Sequence, residues 1–359
     1  MKQMLDIYSD YLIASFSQTS ATGLSNLLGG EISHDQVTRF LSKEEKTSKD
    51  LWLIVKPLIK KIQSNKGVLI IDDSIEEKPY TDENDLICWH FDHCKDRSVK
   101  GINFISCVYQ NTYQNQEISL PIGFELVRKT ERYFDKKTEQ EKRRATKTKN
   151  EIAQDMMLQA VKNQVQFSLI LFDVWFAGSE TLVYVKHKLK KDFICPLKAN
   201  RKVAVSLADK KQGRLVAVST LEIQADAELE IYLEGVEFPV KLVKQVFTNK
   251  DESIGILYLI SSDTTLSLDQ MTTIYQRRWN VEVYHKSLKQ NVSLAKSPTH
   301  TEKTQTNHFF AALCGYIKLE MLKVETKTNH FALKTKLYVN ALHSAFQTLR
   351  ELNPIHLSA

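Results

Sequence analysis

Cysteine is sparse in this 359-residue chain, and the five that occur, Cys88, Cys94, Cys107, Cys195 and Cys314, are odd in number and scattered. That argues against a secreted disulfide framework. Long apolar runs are missing too: none approaches the ~18 residues needed to span a bilayer. Asp6 and Asp10 interrupt the apolar N-terminus, so it does not resemble a signal peptide. The expected setting is a reducing cytoplasm with no membrane partner. Excess charge is also limited, at a formal +6.

The positive charge is concentrated locally. Lys136 to Lys149 reads KKTEQEKRRATKTK, with Lys142, Arg143 and Arg144 at its centre and only two glutamates, and a second cluster holds Lys186, Lys188, Lys190 and Lys191. Such clusters can neutralise nucleic-acid phosphates, and Arg143 and Arg144 are candidates for that role. The plainer alternative is a solvated helix or loop. At this length two or three structural units are expected.

The most informative stretch is Tyr275-Gln276-Arg277-Arg278-Trp279-Asn280-Val281-Glu282, running on to Lys289. Its spacing, Y-x2-R-x3-E-x6-K, matters on a helix: at about 100° per residue, Arg278, Glu282 and Lys289 fall within roughly 60° of Tyr275, opposite Val281, Tyr284 and Leu288. A carboxylate flanked by a tyrosine and two cations suits a divalent metal held beside a phosphate chain. The competing reading is an ordinary i,i+4 pair of Arg278 with Glu282, and Lys286 and Lys289 on a solvated face.

Two further acids change that balance. Gly67 to Ser74 is a short apolar run ending in Asp72 and Asp73, and Phe167 to Gly178 contains a second apolar run ending in Asp173. Both read as buried strands that deliver acids at their tips, although a lone acid after a strand is usually a cap or turn former. Separations of about a hundred residues between Asp72, Asp173 and Glu282 do not prevent convergence when rigid elements carry the ligands.

Asp on a first strand, Asp on a later strand and Glu on a following helix resembles the DDE transposases with a ribonuclease-H-like core. The full Y-R-E-K pattern resembles the group named for insertion sequence four and its close relatives, over roughly Ser33 to Lys318. In the first motif Ser74 stands where the family commonly has threonine, which leaves the ligand position available. Aligning D-x-S with D-x-T places that ligand at Asp72, with Asp73 the alternative.

The resemblance implies an α/β protein: a mixed sheet flanked by helices, interrupted by a β-rich insertion, with helical N- and C-terminal parts. It also implies magnesium, or manganese in its place, held by the catalytic residues Asp72, Asp173 and Glu282. Tyr275, Arg278 and Lys289 would contact DNA. Water would cut the element's end and the freed 3′-hydroxyl would attack either the opposite strand, giving a hairpin, or target DNA. Hairpin relatives stack a flipped base on an aromatic residue; Trp175 and Trp279 lie nearest the acids, but the core is the expected place for both. The implied partners are duplex DNA, as terminal inverted repeats and as target, and a second copy of the chain in a homodimer. The implied location is the cytoplasm, at the nucleoid.

Along the chain, residues 1–63 read as a helical N-terminal unit, with Ser33-His34-Asp35 as a cap, serving to bind DNA ends or to pack as a lid. Residues 64–198 read as the first part of the core, with strands near 67–74, 101–109, 117–124 and 167–173 and a charged helix over about 136–164. The β-rich insertion occupies 199–262, with strands at Leu215–Val218, Leu229–Leu233, Val240–Phe247 and Ile254–Ile260. The remaining core, 263–325, holds the Y-R-E-K helix, and 326–359 is a C-terminal helical segment.

Cys88-Trp89-His90-Phe91-Asp92-His93-Cys94 offers four possible zinc ligands, but four within seven residues would struggle to close a tetrahedron. The segment reads instead as a link between the first two core strands, with His90 or His93 available to DNA. Three rival functions stand beside the transposase: a related nuclease that never joins ends, a binding-only regulator derived from a transposase, and a zinc-dependent regulator.

Overall fold

The apolar run after Gly67 becomes a strand whose first four residues, Val68 to Ile71, are fully buried. A strand covered on both faces reads as a continuous apolar run, which is the pattern here. The computed structural model describes residues 2–92, 95–136, 138–249 and 251–352. Four helices come first: α1 (Lys2–Ala14), α2 (Ala21–Leu27), α3 (His34–Ser42) and α4 (Ser48–Ile62). Ser33 caps α3 in a reciprocal box with Gln36.

Next come β1 (Val68–Glu77), β2 (Cys88–Asp92), β3 (Arg97–Tyr113), β4 (Gln116–Leu126), β5 (Glu131–Asp135), β6 (Gln140–Arg144), α5 (Lys149–Lys162) and β7 (Leu169–Phe172). Helix α6 (Ser179–Val183) runs into a π-helical turn, Tyr184–Lys188, before β8 (Asp192–Leu197). Then follow β9 (Lys202–Ala204), α7 (Leu207–Lys211), β10 (Val216–Ala217), β11 (Glu228–Leu233), β12 (Pro239–Thr248) and β13 (Ile254–Ser261). The last described helices are α8 (Leu268–Gln276), α9 (Trp279–Asn291), α10 (Glu302–Thr326) and α11 (His330–Leu352).

Eleven strands share one sheet, in the order β10-β9-β11-β12-β13-β8-β7-β1-β3-β2, with β4 paired to β3 beside β2. Strand β1 is antiparallel to β3 but parallel to β7, and β7 is parallel to β8. The parallel step from β4 to β7 is spanned by α5, as a crossover requires. Helices α4 and α5 pack on β3 and β4, while α9 and α10 also lie against the sheet. The fold is therefore α/β, a large mixed sheet flanked by helices. Strands β9 to β13 extend that sheet, because β13 pairs with β8.

The charged helix expected over 136–164 begins only at Lys149, where Thr148 and Glu151 form a reciprocal cap. Upstream, β5 and β6 form a separate hairpin. Cross-strand ion pairs hold it: Arg144 to Glu131 at 2.8 Å, Arg132 to Glu141 at 3.5 Å, and Lys142 to Asp135.

Helix α10 is buried on nearly every face from Thr304 to Ile317, as suits a helix central to the packing. Its polar residues are satisfied: the Asn307 amide donates to Leu41 O at 2.8 Å, and His308 Nδ1 lies 3.0 Å from the Tyr8 hydroxyl, which ties the N-terminal helices to the core. Further along, the buried Glu320 accepts from the Ser119 N–H and the Tyr316 hydroxyl and pairs with Lys323, and His330 of α11 lies 3.2 Å away.

Burial alone would raise the Glu320 carboxyl, but His330 and Lys323 more than reverse it and its pKa is lowered. A carboxyl with a depressed folded-state pKa contributes stability above its unfolded value, about 4.3, and that contribution is lost as pH falls through the folded value. Glu320→Gln is therefore expected to cost about 3 kcal/mol at pH 7 and to weaken the acid dependence below pH ~4.3. Urea melts at pH 7 and below pH 4 check both; identical acid dependence in the two proteins would refute the assignment.

Candidate active site

The parallel pairing of β1 and β7 sets Ile71 opposite Phe172, so the next residues fall beside one another: Asp173 just past the end of β7, and Asp72 not at a strand tip as expected but midway along β1, still paired with Ser106 of β3. Burial first, then Asp73 and Asp173, push the Asp72 carboxyl up to about 7 against the opposing pull of Arg278. Asp173 is raised as well, by burial first and by Asp73, although the Trp175 N–H donates to it and Arg278 opposes the shift. Asp73 is otherwise engaged: Lys149 Nζ lies 2.7 Å from its carboxylate and the Asn103 amide donates to it at 2.8 Å.

The third acid arrives on α9. The single helix expected from Tyr275 to Lys289 is broken at Arg277 and Arg278, because the backbone tightens to i→i−3 hydrogen bonds, such as Arg278 N to Tyr275 O at 2.9 Å and Val281 N to Arg278 O at 3.0 Å. Arg277 pins the junction to the sheet through Lys66 O and Gln110 O, both at 3.0 Å. Tyr275 thus lies in the last turn of α8, while Arg278, Glu282 and Lys289 belong to α9 or its cap.

Arg278 lies between two carboxylates: one nitrogen is 3.5 Å from Asp72 and another donates to Glu282 at 2.9 Å. Its own side chain is 12% exposed, against 47% for Glu282. Burial works against the guanidinium charge, but Tyr275, Asp72 and Glu282 outweigh it and raise the Arg278 pKa. Tyr275 is buried, its hydroxyl pKa pushed up mainly by burial. Lys289 donates to Ile75 O at 2.7 Å and Ser74 Oγ at 3.1 Å. His285 is held neutral, its pKa lowered to about 3 by burial, then by Lys289 and Arg278.

These groups line a cleft of about 930 Å³, with Asp72, Asp173 and Glu282 beside Arg278, Lys289 and Lys149. Its donors suit a hard divalent cation, which takes carboxylate oxygens and water. One observation supports that fit: burial and mutual repulsion hold the aspartates against ionisation, a cost that a bound cation would relieve. Among the described residues no three His, Cys, Asp or Glu side chains are grouped to hold a metal ion as they stand; at Asp72 and Glu282, the intervening cation is Arg278.

The family model described as DDE superfamily endonuclease matches residues 1–216, which include the strands carrying Asp72 and Asp173. The chain belongs to the DDE superfamily endonucleases. Among solved structures, this DDE endonuclease is similar to the Drosophila P element transposase strand transfer complex, at 11% identity over 47% of this chain and 33% of that one, with a TM-score of 0.26. It is similar also to Kluyveromyces polysporus Argonaute with a guide RNA, at 11% identity over 80% of this chain and 32% of that one, with a TM-score of 0.22. The chain thus spans about a third of the length of each. No curated protein matches it.

Elsewhere in the endonuclease, Trp175 and Trp279 are not in the core, being 47% and 59% exposed; Trp175 lines the cleft with Lys198 4.3 Å above its ring. Trp175 stands in the turn after β7 and Trp279 opens α9, positions at element ends that sequence periodicity does not convey. Arg143 is committed to Glu83 and Asp85, and Arg144 to Glu131. In the second basic cluster, Lys186 pairs with Asp192 and Lys191 donates to Phe167 O. His90, considered for DNA contact, is buried in the edge strand β2 with its Nε2 3.3 Å from Cys88 Sγ and its pKa lowered to about 3, mainly by burial. His93 and Cys94 lie outside the described residues. Lys149, which reaches the cleft from the start of α5, was counted in sequence only as part of a basic run.

Proposed function

We propose that this DDE endonuclease is a transposase of the insertion-sequence-four group, cutting the ends of a bacterial insertion sequence and joining them to target DNA. The observation that carries the reading is the convergence of Asp72, Asp173 and Glu282 on one cleft also furnished with Arg278, Lys289 and Lys149. Magnesium at these carboxylates, or manganese in its place, would supply an activated hydroxyl nucleophile and stabilise the leaving oxygen. Asp72 is held within β1 and Asp173 just past the end of β7, both rigid mounts, and Glu282 closes the set from α9. Asp73 is occupied by Lys149 and Asn103, which favours Asp72 as the ligand.

Arg278 can grip a phosphate with its planar fork, and Lys289 and Lys149 add point charges along the cleft. Tyr275, beneath Arg278, acts by positioning that fork. Arg143 and Arg144 would contact DNA flanking the cut by exchanging their present carboxylate partners for phosphates. The working form is a homodimer on two terminal inverted repeats, since cutting two ends in concert takes two active sites. Its location is the nucleoid.

The test is incubation with magnesium and linear duplex DNA spanning the gene and its flanks, together with a supercoiled target plasmid. Cleavage at the flanks followed by joining to the plasmid is the expected result. Cleavage with no joining would replace the reading with a nuclease, and binding with neither with a regulator.

A further inference from the structure

Resting on that reading, the geometry points to a second role for Arg278: with no DNA bound, its guanidinium is a built-in counter-ion that bars divalent metal from Asp72 and Glu282, and it must swing out before metal can load. One guanidinium reaches both carboxylates, at 3.5 Å and 2.9 Å. A cation entering between those acids meets a fixed positive charge. Metal and the inward Arg278 therefore exclude one another, by charge and by space.

The local structure makes an outward swing feasible while the backbone stays in place. Arg277 fixes the α8–α9 junction through Lys66 O and Gln110 O. The Arg278 side chain itself is less well satisfied, because its buried Nε has no partner. The guanidinium carbon already lies 5.6 Å from the centre of the exposed Trp279 ring, a surface along which a planar cation can slide outward. A guanidinium carried farther along that ring leaves the acids and faces solvent, where a DNA phosphate can meet it. Phosphate and metal then favour the same outward conformer, so each strengthens the binding of the other. Cleavage chemistry is thereby withheld until DNA is seated.

Calorimetric titration of Mn²⁺ into the full chain without DNA tests this directly. Arg278→Gln is expected to bind Mn²⁺ at least about fivefold more tightly than the unaltered protein, the lower end of typical coupling between sites. Lys149→Gln removes an equal charge from the same cleft, but from beside Asp73, and is expected to stay within about twofold, as a screened general effect. Arg278→Lys keeps the charge without the fork that spans two acids; it should fall between Arg278→Gln and the unaltered protein and serves if the glutamine variant does not fold.

Equal or weaker Mn²⁺ binding by the Arg278 variants, or an equal gain in Lys149→Gln, overturns the inference. Asp72→Asn separates this failure from that of the underlying reading. If Asp72→Asn weakens Mn²⁺ binding while the Arg278 variants change nothing, the metal site stands and the counter-ion role falls. If the unaltered protein and every Arg278 variant fail to bind Mn²⁺, both fall.

Discussion

Glu282→Gln will still bind duplex DNA, but its magnesium-dependent cleavage is expected to drop by at least on the order of 10²-fold, the scale seen when one preorganised electrostatic group is removed from an active site. The substitution keeps the side chain's size and its ability to accept from Arg278, while removing the charge that would help hold a cation. Because Glu282 is 47% exposed in the first turn of α9, fold stability should change by no more than about 0.5 kcal/mol. The prediction is therefore a separation: unaltered melting and DNA binding, lost catalysis. A gel assay on end-labelled duplex, with binding measured in calcium, reads both. If cleavage persists near the original rate, Glu282 is a surface partner of Arg278 and the three-acid reading loses its third member.

That the first two acids can be found from sequence follows from how they are delivered. Val68 to Ile71 and Leu169 to Phe172 are buried on both faces of the sheet, and such strands must be apolar throughout, so the acid that ends each run stands out. The insertion strands Glu228–Leu233, Pro239–Thr248 and Ile254–Ser261 were legible for a related reason, their branched and aromatic residues. The cap at Ser33 likewise marks a helix start by local chemistry.

What was not legible depends on partners distant in the chain. Residues 131–144 have a composition that favours helix, and only the cross-strand pairing of Glu131 with Arg144 and Asp135 with Lys142 turns them into a hairpin. The strand Asp192–Leu197 contains Pro196, which argues against a central strand, yet it is held between β7 and β13. The break at Arg277 follows from bonds to Lys66 and Gln110, more than 160 residues away, and it leaves the Tyr275 to Lys289 spacing unchanged. Periodicity alone therefore reads one helix where there are two. The same limit hides the position of Arg278, since i,i+4 spacing announces its contact with Glu282 but not the one with Asp72.

Gly101→Ala is expected to be the most damaging single-methyl change to the fold. Gly101 sits in β3 opposite Glu77 of β1, and on its other side opposite Cys88 of β2. A Cβ built there would lie 2.2 Å from Glu76 O, 2.9 Å from Glu76 C and 3.0 Å from Glu77 Cα, all backbone atoms of the neighbouring strand. No rotamer change relieves contact with a backbone, so β1 and β3 must part or the strand must shift, at a cost of about 3 kcal/mol. The damage should not stay local. Strand β1 carries Asp72 and Asp73, and Lys289 of α9 rests on Ser74 and Ile75, one to three residues before the clash at Glu76 and Glu77. Displacing that end of β1 moves the acid and the helix that faces it together. Urea melts should show the stability loss, and cleavage measured on the remaining folded fraction should fall as well. A variant that melts like the unaltered protein would mean that β3 has room the structure does not show. A variant that is destabilised but cleaves normally once folded would mean that the strand's position at Gly101 is uncoupled from the acids midway along β1.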